Sequence, residues 1–259
     1  MEAKLGFHVG KSPTYTKTIQ DVLDSIKDNV KNFPIQIFTG STKTWKRANV
    51  NEKDIHKAKE LIIKNNMSVF IHSIYLINLS RFGEEFEKAK ECLEYDLKIG
   101  PMLGAKGVVV HVGKALKMGT EKAVDNMFKN ILNMLDSIDE SCPLLIETPA
   151  GQGTEVLSDI DSFISFYNKF SDFQKTKLKI CIDTCHIFAC GYQPDKYLEK
   201  WNEECPGSIV LVHYNDSKCA CGSRKDRHAP IGEGLINIET LDYIVKWCTV
   251  LDIPMVREF

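Results

Sequence analysis

The stretch from Lys179 to His186, KICIDTCH, decides the fold. Its apolar first half predicts a buried strand, and it ends in Asp183 with His186 three residues later. A carboxylate and an imidazole at the end of an apolar strand add nothing to a core, and their burial is costly unless they are paired or coordinated. This stretch therefore predicts a strand that carries a chemical site at its carboxyl end.

Further apolar runs of this kind occur along the whole chain, and segments with helical spacing lie between them. The eight runs begin at Leu5, Pro34, Ser68, Gly107, Leu144, Lys179, Ile209 and Pro254. Helices are predicted over 16–30, 84–100, 121–138, 159–170 and 237–248, with Gly100 as the stop of the second helix.

This alternation, repeated about every 32 residues, predicts an α/β protein with a TIM (β/α)8 barrel. A doubly wound open sheet is the structural alternative. We expect one domain over residues 1–259, and we expect it to lack the usual final helix after strand 8.

Composition and charge exclude several classes of protein. The chain is 43% hydrophobic and 26% charged, which is typical of a globular protein and not of a disordered one. No apolar run approaches the roughly 20 residues of a membrane helix, and the N-terminal sequence has no secretory signal. The nine cysteines form no spaced disulfide framework, so we expect an intracellular, reducing compartment: the cytoplasm, or the nucleus if the source is eukaryotic or viral.

Six of the eight apolar runs end in a residue type that binds metal ions. These residues are His72, His111, Glu147, Asp183, His213 and Glu258. One such residue alone is more often structural, but the carboxyl ends of barrel strands meet on one face, where active sites lie. His186, Asp226 and His228 extend the set to a third group of nitrogen and oxygen ligands.

Imidazole and carboxylate ligands suit zinc, with Mn2+ or Fe2+ as substitutes. Four carboxylates and three divalent ions leave a net charge of about +2, which suits an anionic substrate such as a phosphodiester. The net charge of −2 argues weakly against a nucleic-acid partner, so local basic loops would have to hold one.

The chain resembles the endonuclease IV family of zinc-dependent apurinic/apyrimidinic endonucleases. The matching stretches are HSIYLINL (72–79), ETPAGQG (147–153), IDTCHIFACGY (182–192), HYNDSK (213–218) and DRHAPIGEG (226–234). The resemblance implies a TIM barrel and base excision repair. It also implies hydrolysis of double-stranded DNA 5′ to an abasic site, which leaves a 3′-hydroxyl and a 5′-deoxyribose phosphate, together with trimming of blocked 3′ ends. We expect a monomer without membrane contact.

When the ligand positions of the family are matched to this sequence, the resemblance implies three zinc ions. His72, His111 and Glu147 would hold the first, and Glu147, as the catalytic bridging ligand that positions the attacking hydroxide, would share the second with Asp183, His213 and Glu258. His186, Asp226 and His228 would hold the third.

Basic and aromatic residues in three loops are candidate DNA contacts. They are Lys43, Trp45 and Arg47 in the second loop, Tyr75 in the third, and Lys218, Arg224 and Arg227 in the seventh. In the resemblance, Tyr75 and Lys43 match side chains that enter the minor groove, with Lys43 in place of an arginine. A competing interpretation is that Tyr75 only packs its loop.

Two other functions stay open at this point. Related barrels isomerise or epimerise sugars with one or two metal ions, although the Asp226 and His228 pair argues against that class. A protein that binds damaged DNA without cutting it is the second alternative, although the intact ligand set disfavours it. His8 is expected to be structural more than functional, and Cys181 and Cys185 are expected to pack around the site.

Overall fold

The computed structural model of the protein describes residues 3–26 and 33–258. Its strands are β1 (Leu5–Val9), β2 (Pro34–Phe38), β3 (Ser68–His72), β4 (Val108–His111), β5 (Leu144–Glu147), β6 (Leu178–Asp183), β7 (Ile209–His213), β8 (Asp216–Ser217), β9 (His228–Ala229) and β10 (Met255–Arg257). Its helices are α1 (Tyr15–Ser25), α2 (Glu52–Lys64), α3 (Glu84–Leu103), α4 (Thr120–Met134), α5 (Ile160–Tyr167), α6 (Asp172–Lys177), α7 (Thr184–Ala189), α8 (Pro194–Glu204) and α9 (Ile238–Val250). A 3-10 turn over Leu135–Ser137 extends α4.

Eight parallel strands close into a barrel in the order β1-β10-β7-β6-β5-β4-β3-β2. Each of the eight predicted apolar runs forms one of these strands. Because β1 pairs with both β2 and β10, the sheet has no edge. The TIM barrel prediction is confirmed and the open sheet is wrong. Within the described ranges, β10 is the last element.

The prediction that Gly100 ends a helix is wrong. α3 continues to Leu103 and ends before Gly104, whose φ of +77° suits glycine. Gly100 is required by packing instead, since a Cβ there would lie 2.5 Å from Cys142 Sγ. The other predicted helices match α1, α4, α5 and α9 within a few residues. Residues 27–30 of the first predicted helix lie outside the described residues.

Several short or polar elements lacked a sequence prediction. α6 and α7 have six residues each, which is too short for a helical period to show, and α8 is mostly polar. β8 and β9 pair as a two-residue antiparallel ladder in the loop after β7. No helix within 3–26 and 33–258 has the length and apolarity needed to cross a membrane.

The barrel interior contains an apolar layer that six strands build. Its buried members are Phe70, Val109, Leu145, Cys181, Leu211 and Val256. The neighbouring strand residues point outward and pack against the helices in the larger core. Because side chains alternate along a strand, the residue two positions after each layer member also faces inward, at the carboxyl end of the barrel.

Candidate metal centre

The candidate centre is a ring of six side chains at this end of the barrel. β3 to β7 each end on one of them and the sixth follows β10: His72, His111, Glu147, Asp183, His213 and Glu258. Three more come from α7, from β9 and from the loop before β9: His186, His228 and Asp226. The structure brings together all nine residues that the sequence predicts as metal ligands.

The nine predicted ligands form three pockets, and within each pocket their ligand atoms lie within 4.8 Å of one another; a fourth such group among the described residues joins Asp183 and His228 to Cys185. The first pocket contains His72, His111 and Glu147, the second contains Glu147, Asp183, His213 and Glu258, and the third contains His186, Asp226 and His228. Glu147 Oε2 lies 3.2 Å from His72 Nε2 and 3.4 Å from His111 Nε2. Its Oε1 lies 3.0 Å from His213 Nδ1. The two oxygens of Glu147 therefore face different pockets, as a bridging ligand requires.

A buried carboxylate holds the long loop that supplies the third pocket. Asp216 accepts hydrogen bonds at 2.9 to 3.0 Å from three backbone N–H groups of the segment 232–236. A Cβ on Gly234 would lie 2.3 Å from Asp216 Oδ1, so glycine is required at this close approach. Together with the β8–β9 ladder, these bonds fix the loop that carries Asp226 and His228.

Buried nitrogen atoms indicate that the pockets fit metal ions. The Nε2 atoms of His111, His186 and His228 are buried without a hydrogen-bond partner among the described residues. Carboxylate oxygens nevertheless lie close: Glu147 is 3.4 Å from the first, and Asp226 is 3.3 and 3.0 Å from the other two. Nitrogen and oxygen atoms that converge at these distances without a hydrogen bond fit a shared cation, and this donor set suits zinc.

Hydrogen bonds on the far side of two imidazole rings set which nitrogen faces each pocket. His72 Nδ1 lies 2.6 Å from the carbonyl oxygen of Ser73, and His186 Nδ1 lies 2.8 Å from that of Thr148. A carbonyl accepts, so these nitrogens donate and the Nε2 atoms face the carboxylates. Such outer hydrogen bonds are typical of histidine metal ligands.

The crowded charges shift pKa values in opposite directions. Burial opposes ionisation of Glu147, but His111 and His213 hold its pKa well below the ordinary value. Burial raises the pKa of Asp183. For His186, burial is outweighed by Asp183, and the pKa of the ring is raised well above the ordinary value. Burial lowers the pKa of His111 to about 4, so this ring is neutral near pH 7 and its nitrogen is available to a metal ion.

The two cysteines expected to pack around the site are both fully buried beside it. Cys185 Sγ lies within 4.8 Å of ligand atoms of Asp183 and His228. Burial raises the pKa of Cys185 and that of Cys181 to about 12, so both stay thiols near neutral pH.

Sequence reasoning missed residues that orient the ligands. Asn215 Nδ2 donates to Asp183 Oδ2 at 2.7 Å, and its Oδ1 accepts from the backbone N–H of Glu258 at 3.0 Å. Gln36 Nε2 donates to Glu258 Oε1 at 2.7 Å. A polar residue inside the apolar run PIQIF was the available signal for Gln36. His8, expected to be structural, contacts Gln36 and also faces the cavity above the ring.

That cavity has a volume of about 560 Å3, and Tyr75 and Arg227 line it beside the ligands. Tyr75 is 56% exposed, and its ring centroid lies 5.4 Å from that of His72 and 5.6 Å from that of Phe38. Both interpretations of Tyr75 therefore apply, since it packs its loop and also lies at the cavity mouth. Partial desolvation at the cavity mouth, together with the nearby carboxylates of Glu258 and Glu147, raises the pKa of Tyr75, so the hydroxyl stays protonated.

Two of the predicted basic contacts line grooves outside this cavity. Lys43 lines a groove of about 580 Å3 together with Lys11, a basic residue that sequence reasoning missed. Arg224 lines a groove of about 750 Å3 between the segments 115–125 and 153–169.

The other predicted DNA contacts lie in the second and seventh loops, which also carry Lys43 and Arg224. Arg47 donates to the carbonyl oxygens of Ser41 at 3.3 Å and Thr44 at 3.1 Å, so its guanidinium holds its own loop. Trp45 and Lys218 are exposed. The structure thus brings Tyr75 and Arg227, but not all seven candidates, to the mouth of the centre.

The barrel with this ring defines a class of protein. The family described as xylose isomerase-like TIM barrel matches residues 34–246, most of the chain. Probable endonuclease 4 of Halothermothrix orenii is 31% identical over 235 residues, covering 86% of this chain and 83% of the relative. Probable endonuclease 4 of Mycoplasmopsis agalactiae is 31% identical over 268 residues, covering 98% and 91%.

Solved structures agree with these relatives. The crystal structure of endonuclease IV from Thermus thermophilus matches with a TM-score of 0.83 at 26% identity and covers 99% of this chain and 92% of that one. The chain belongs to the endonuclease IV family, which confirms the resemblance in its motifs. A D-tagatose 3-epimerase-like protein matches with a TM-score of 0.73 at 19% identity over 98% and 89% of the two chains, which shows a shared fold alone.

Proposed function

We propose that this protein is a zinc-dependent endonuclease of DNA repair that hydrolyses the phosphodiester 5′ to an abasic site. The observation that carries the proposal is the set of three adjoining pockets with Glu147 shared between two of them. Membership of the endonuclease IV family supports it, and the curated relatives are named as endonucleases. Trimming of blocked 3′ ends is part of the same proposal.

Three zinc ions would be held in the first, second and third pockets as defined above, with Mn2+ or Fe2+ as substitutes. Bound there, they would supply Lewis-acid chemistry, which polarises the phosphodiester and acidifies water. The chain itself supplies geometry. Glu147 directs one oxygen into each of two pockets, and the buried outer hydrogen bonds of His72 and His186 keep their rings from turning.

Residues at the mouth would bind the DNA. Arg227 lies in the cavity and would pair with a backbone phosphate, and Lys43 would do so from the adjoining groove. Tyr75, exposed on one side and packed against His72 on the other, would fill the gap left in the duplex at the missing base. The remaining candidates Trp45, Lys218 and Arg224 would position flanking DNA, and Arg47 would hold the loop that carries Trp45.

The proposal is tested with a duplex that carries one tetrahydrofuran abasic analogue and a labelled 5′ end. Zinc-loaded protein is expected to produce one cut at the analogue, with a 3′-hydroxyl that a polymerase extends. Glu147→Gln keeps the size of the side chain but removes the charge that two pockets share. We expect it to lower the rate at least about a hundredfold, since even outer-sphere changes at metal sites cost 10–100-fold.

Glu203→Gln, an exposed position on α8, is the matched control and is expected to cut like the wild type. A Glu147→Gln variant that cuts at the wild-type rate would refute the proposed centre. Binding of the abasic duplex by zinc-loaded protein without any cut would favour the non-cleaving alternative instead.

A further inference from the structure

Gln36 is a polar side chain at the middle of β2 and is 0% exposed. Its amide contacts residues from three other strands or strand ends. Nε2 lies 2.7 Å from Glu258 Oε1 and 2.9 Å from His8 Nδ1, and Oε1 lies 2.8 Å from His213 Nε2. A buried amide is unfavourable unless its donors and acceptors are satisfied, so this side chain is held by its partners and holds them in turn.

The carboxylate of Glu258 determines which way the amide points. A carboxylate oxygen accepts hydrogen bonds, and Glu258 Oε1 lies 2.7 Å from Gln36 Nε2, while its Oε2 accepts from Asn215 Nδ2 at 3.3 Å. The NH2 group of Gln36 therefore faces Glu258, and its oxygen faces His213. Because that oxygen accepts, His213 carries a hydrogen on Nε2.

The opposite nitrogen of His213 is thereby assigned to the second pocket. Nδ1 lies 3.0 Å from Glu147 Oε1, 3.1 Å from Glu258 Oε2 and 3.7 Å from Asp183 Oδ2. A half-turn of the ring would place carbon where the pocket needs nitrogen. The hydrogen bond to Gln36 opposes that half-turn.

His213 differs in this respect from the other two rings whose outer hydrogen bonds are described above. His72 and His186 bond to backbone carbonyls, which no substitution removes. His213 depends on a side chain. A change at Gln36 therefore acts on the second pocket and leaves the first and third pockets their own supports.

We propose that Gln36 is a positioning residue of the second pocket and that its amide holds His213 and Glu258 in the orientation that binds a metal ion. The proposal rests on the proposed function in one respect, that the pockets take metal ions. Gln36 contacts neither the ion nor DNA in this proposal and acts through His213 and Glu258.

The test uses the full chain, stripped of metal and then titrated with zinc alone against a competing chromogenic chelator. Gln36→Met keeps the length of the side chain and removes both polar groups. We expect one zinc ion per chain to bind about 10–100-fold more weakly, with the other ions unchanged. Gln20→Met is the matched control, since Gln20 also donates to a carboxylate, Asp24, at 2.8 Å but lies on the exposed face of α1. It is expected to bind zinc like the wild type.

Unchanged zinc binding by folded Gln36→Met would overturn the proposal. Equal weakening of every ion would also overturn it, because a damaged barrel and not one misaligned ring would explain that result. If circular dichroism shows that Gln36→Met does not fold, Gln36→Asn decides on the same criteria, since it keeps the amide but shortens its reach. The titration contains no DNA, so its result for Gln36 would still hold if the protein failed to cut abasic sites. Wild-type protein that binds no zinc would overturn both this proposal and the proposed function.

Discussion

Two layers inside the barrel differ in chemistry although the same six strands build both. The lower layer is apolar, and the ring two residues further along each strand consists of imidazoles and carboxylates; Phe70 and His72 on β3, or Leu145 and Glu147 on β5, are examples. The strand period of two places both on the inner face. The apolar layer is stabilised by burial alone, whereas the ring requires positive charge between its carboxylates.

The largest effect is expected from the apolar layer. Phe70 is 1% exposed and belongs to the innermost packed cluster. Phe70→Ala should lower the free energy of unfolding of the metal-free protein by about 3–5 kcal/mol through lost burial and the cavity left behind. Urea denaturation of metal-free protein measures this change, and zinc stoichiometry in native buffer should stay the same.

Phe173→Ala is the control for this comparison, because Phe173 is 69% exposed on α6. Its effect should stay within about 0.5 kcal/mol. If Phe70→Ala unfolds at the wild-type urea concentration, the lower layer does not support the barrel independently of the ring.

The second effect is expected from the ring. A metal ion that binds the native state alone at one site stabilises it by about 4 kcal/mol when its concentration is a thousand times Kd. At roughly 2–4 °C per kcal/mol for a chain of this size, loss of one such ion on prolonged chelation should lower the melting temperature by about 8–16 °C. Calorimetry with and without chelator measures the shift, and elemental analysis verifies the loss of metal.

Asp183→Asn sharpens this measurement, since it removes one of the carboxylates of the second pocket. Chelation should then lower the melting temperature by less than in the wild type. A wild-type melt that does not change after verified metal loss would contradict a ring that depends on cations.

The sequence revealed these two layers unequally. The six ligands of the ring could be predicted because each one ends an apolar run, and the carboxyl ends of parallel strands lie together in a barrel. Gln36 could not be assigned a partner, since Glu258 and His213 are 222 and 177 residues away in sequence and no local pattern says which strands face each other. Gly100 shows the opposite error. From the sequence the glycine is interpreted as a local signal for the end of a helix, whereas it is required by close packing against Cys142, which is distant in sequence.

Arg47 illustrates the same limit on the surface. A basic loop without acids predicts contacts with phosphate, but the guanidinium bonds to carbonyl oxygens of its own loop. A sequence shows which residues are charged, whereas the fold determines whether a charged group bonds within the protein or is exposed to a ligand.

The smallest of the three effects concerns a buried carboxylate outside the ring. Asp96 on α3 is 1% exposed, and Thr39 Oγ1 donates to it at 2.5 Å. Glu147 is hydrogen-bonded to imidazoles, whereas the hydroxyl of Thr39 donates to Asp96. Burial raises the pKa of Asp96 from 3.8 to about 6. The ionised form is thus disfavoured in the folded protein relative to the unfolded chain.

A carboxyl whose pKa is higher in the folded protein than in the unfolded chain destabilises the fold at pH values above its unfolded pKa. The contribution of Asp96 to the free energy of unfolding therefore falls as the pH rises from about 4 to about 6 and is constant at higher pH. Asp96→Asn keeps an acceptor for Thr39 and cannot ionise. The variant should match the wild type near pH 4 and be more stable at pH 7 by at most about 3 kcal/mol, at 1.36 kcal/mol per pKa unit. Urea denaturation of the metal-free proteins across this range measures the difference, with the exposed Asp125→Asn on α4 as control. A difference that does not depend on pH would contradict the prediction, since it would mean that folding does not raise the pKa of Asp96.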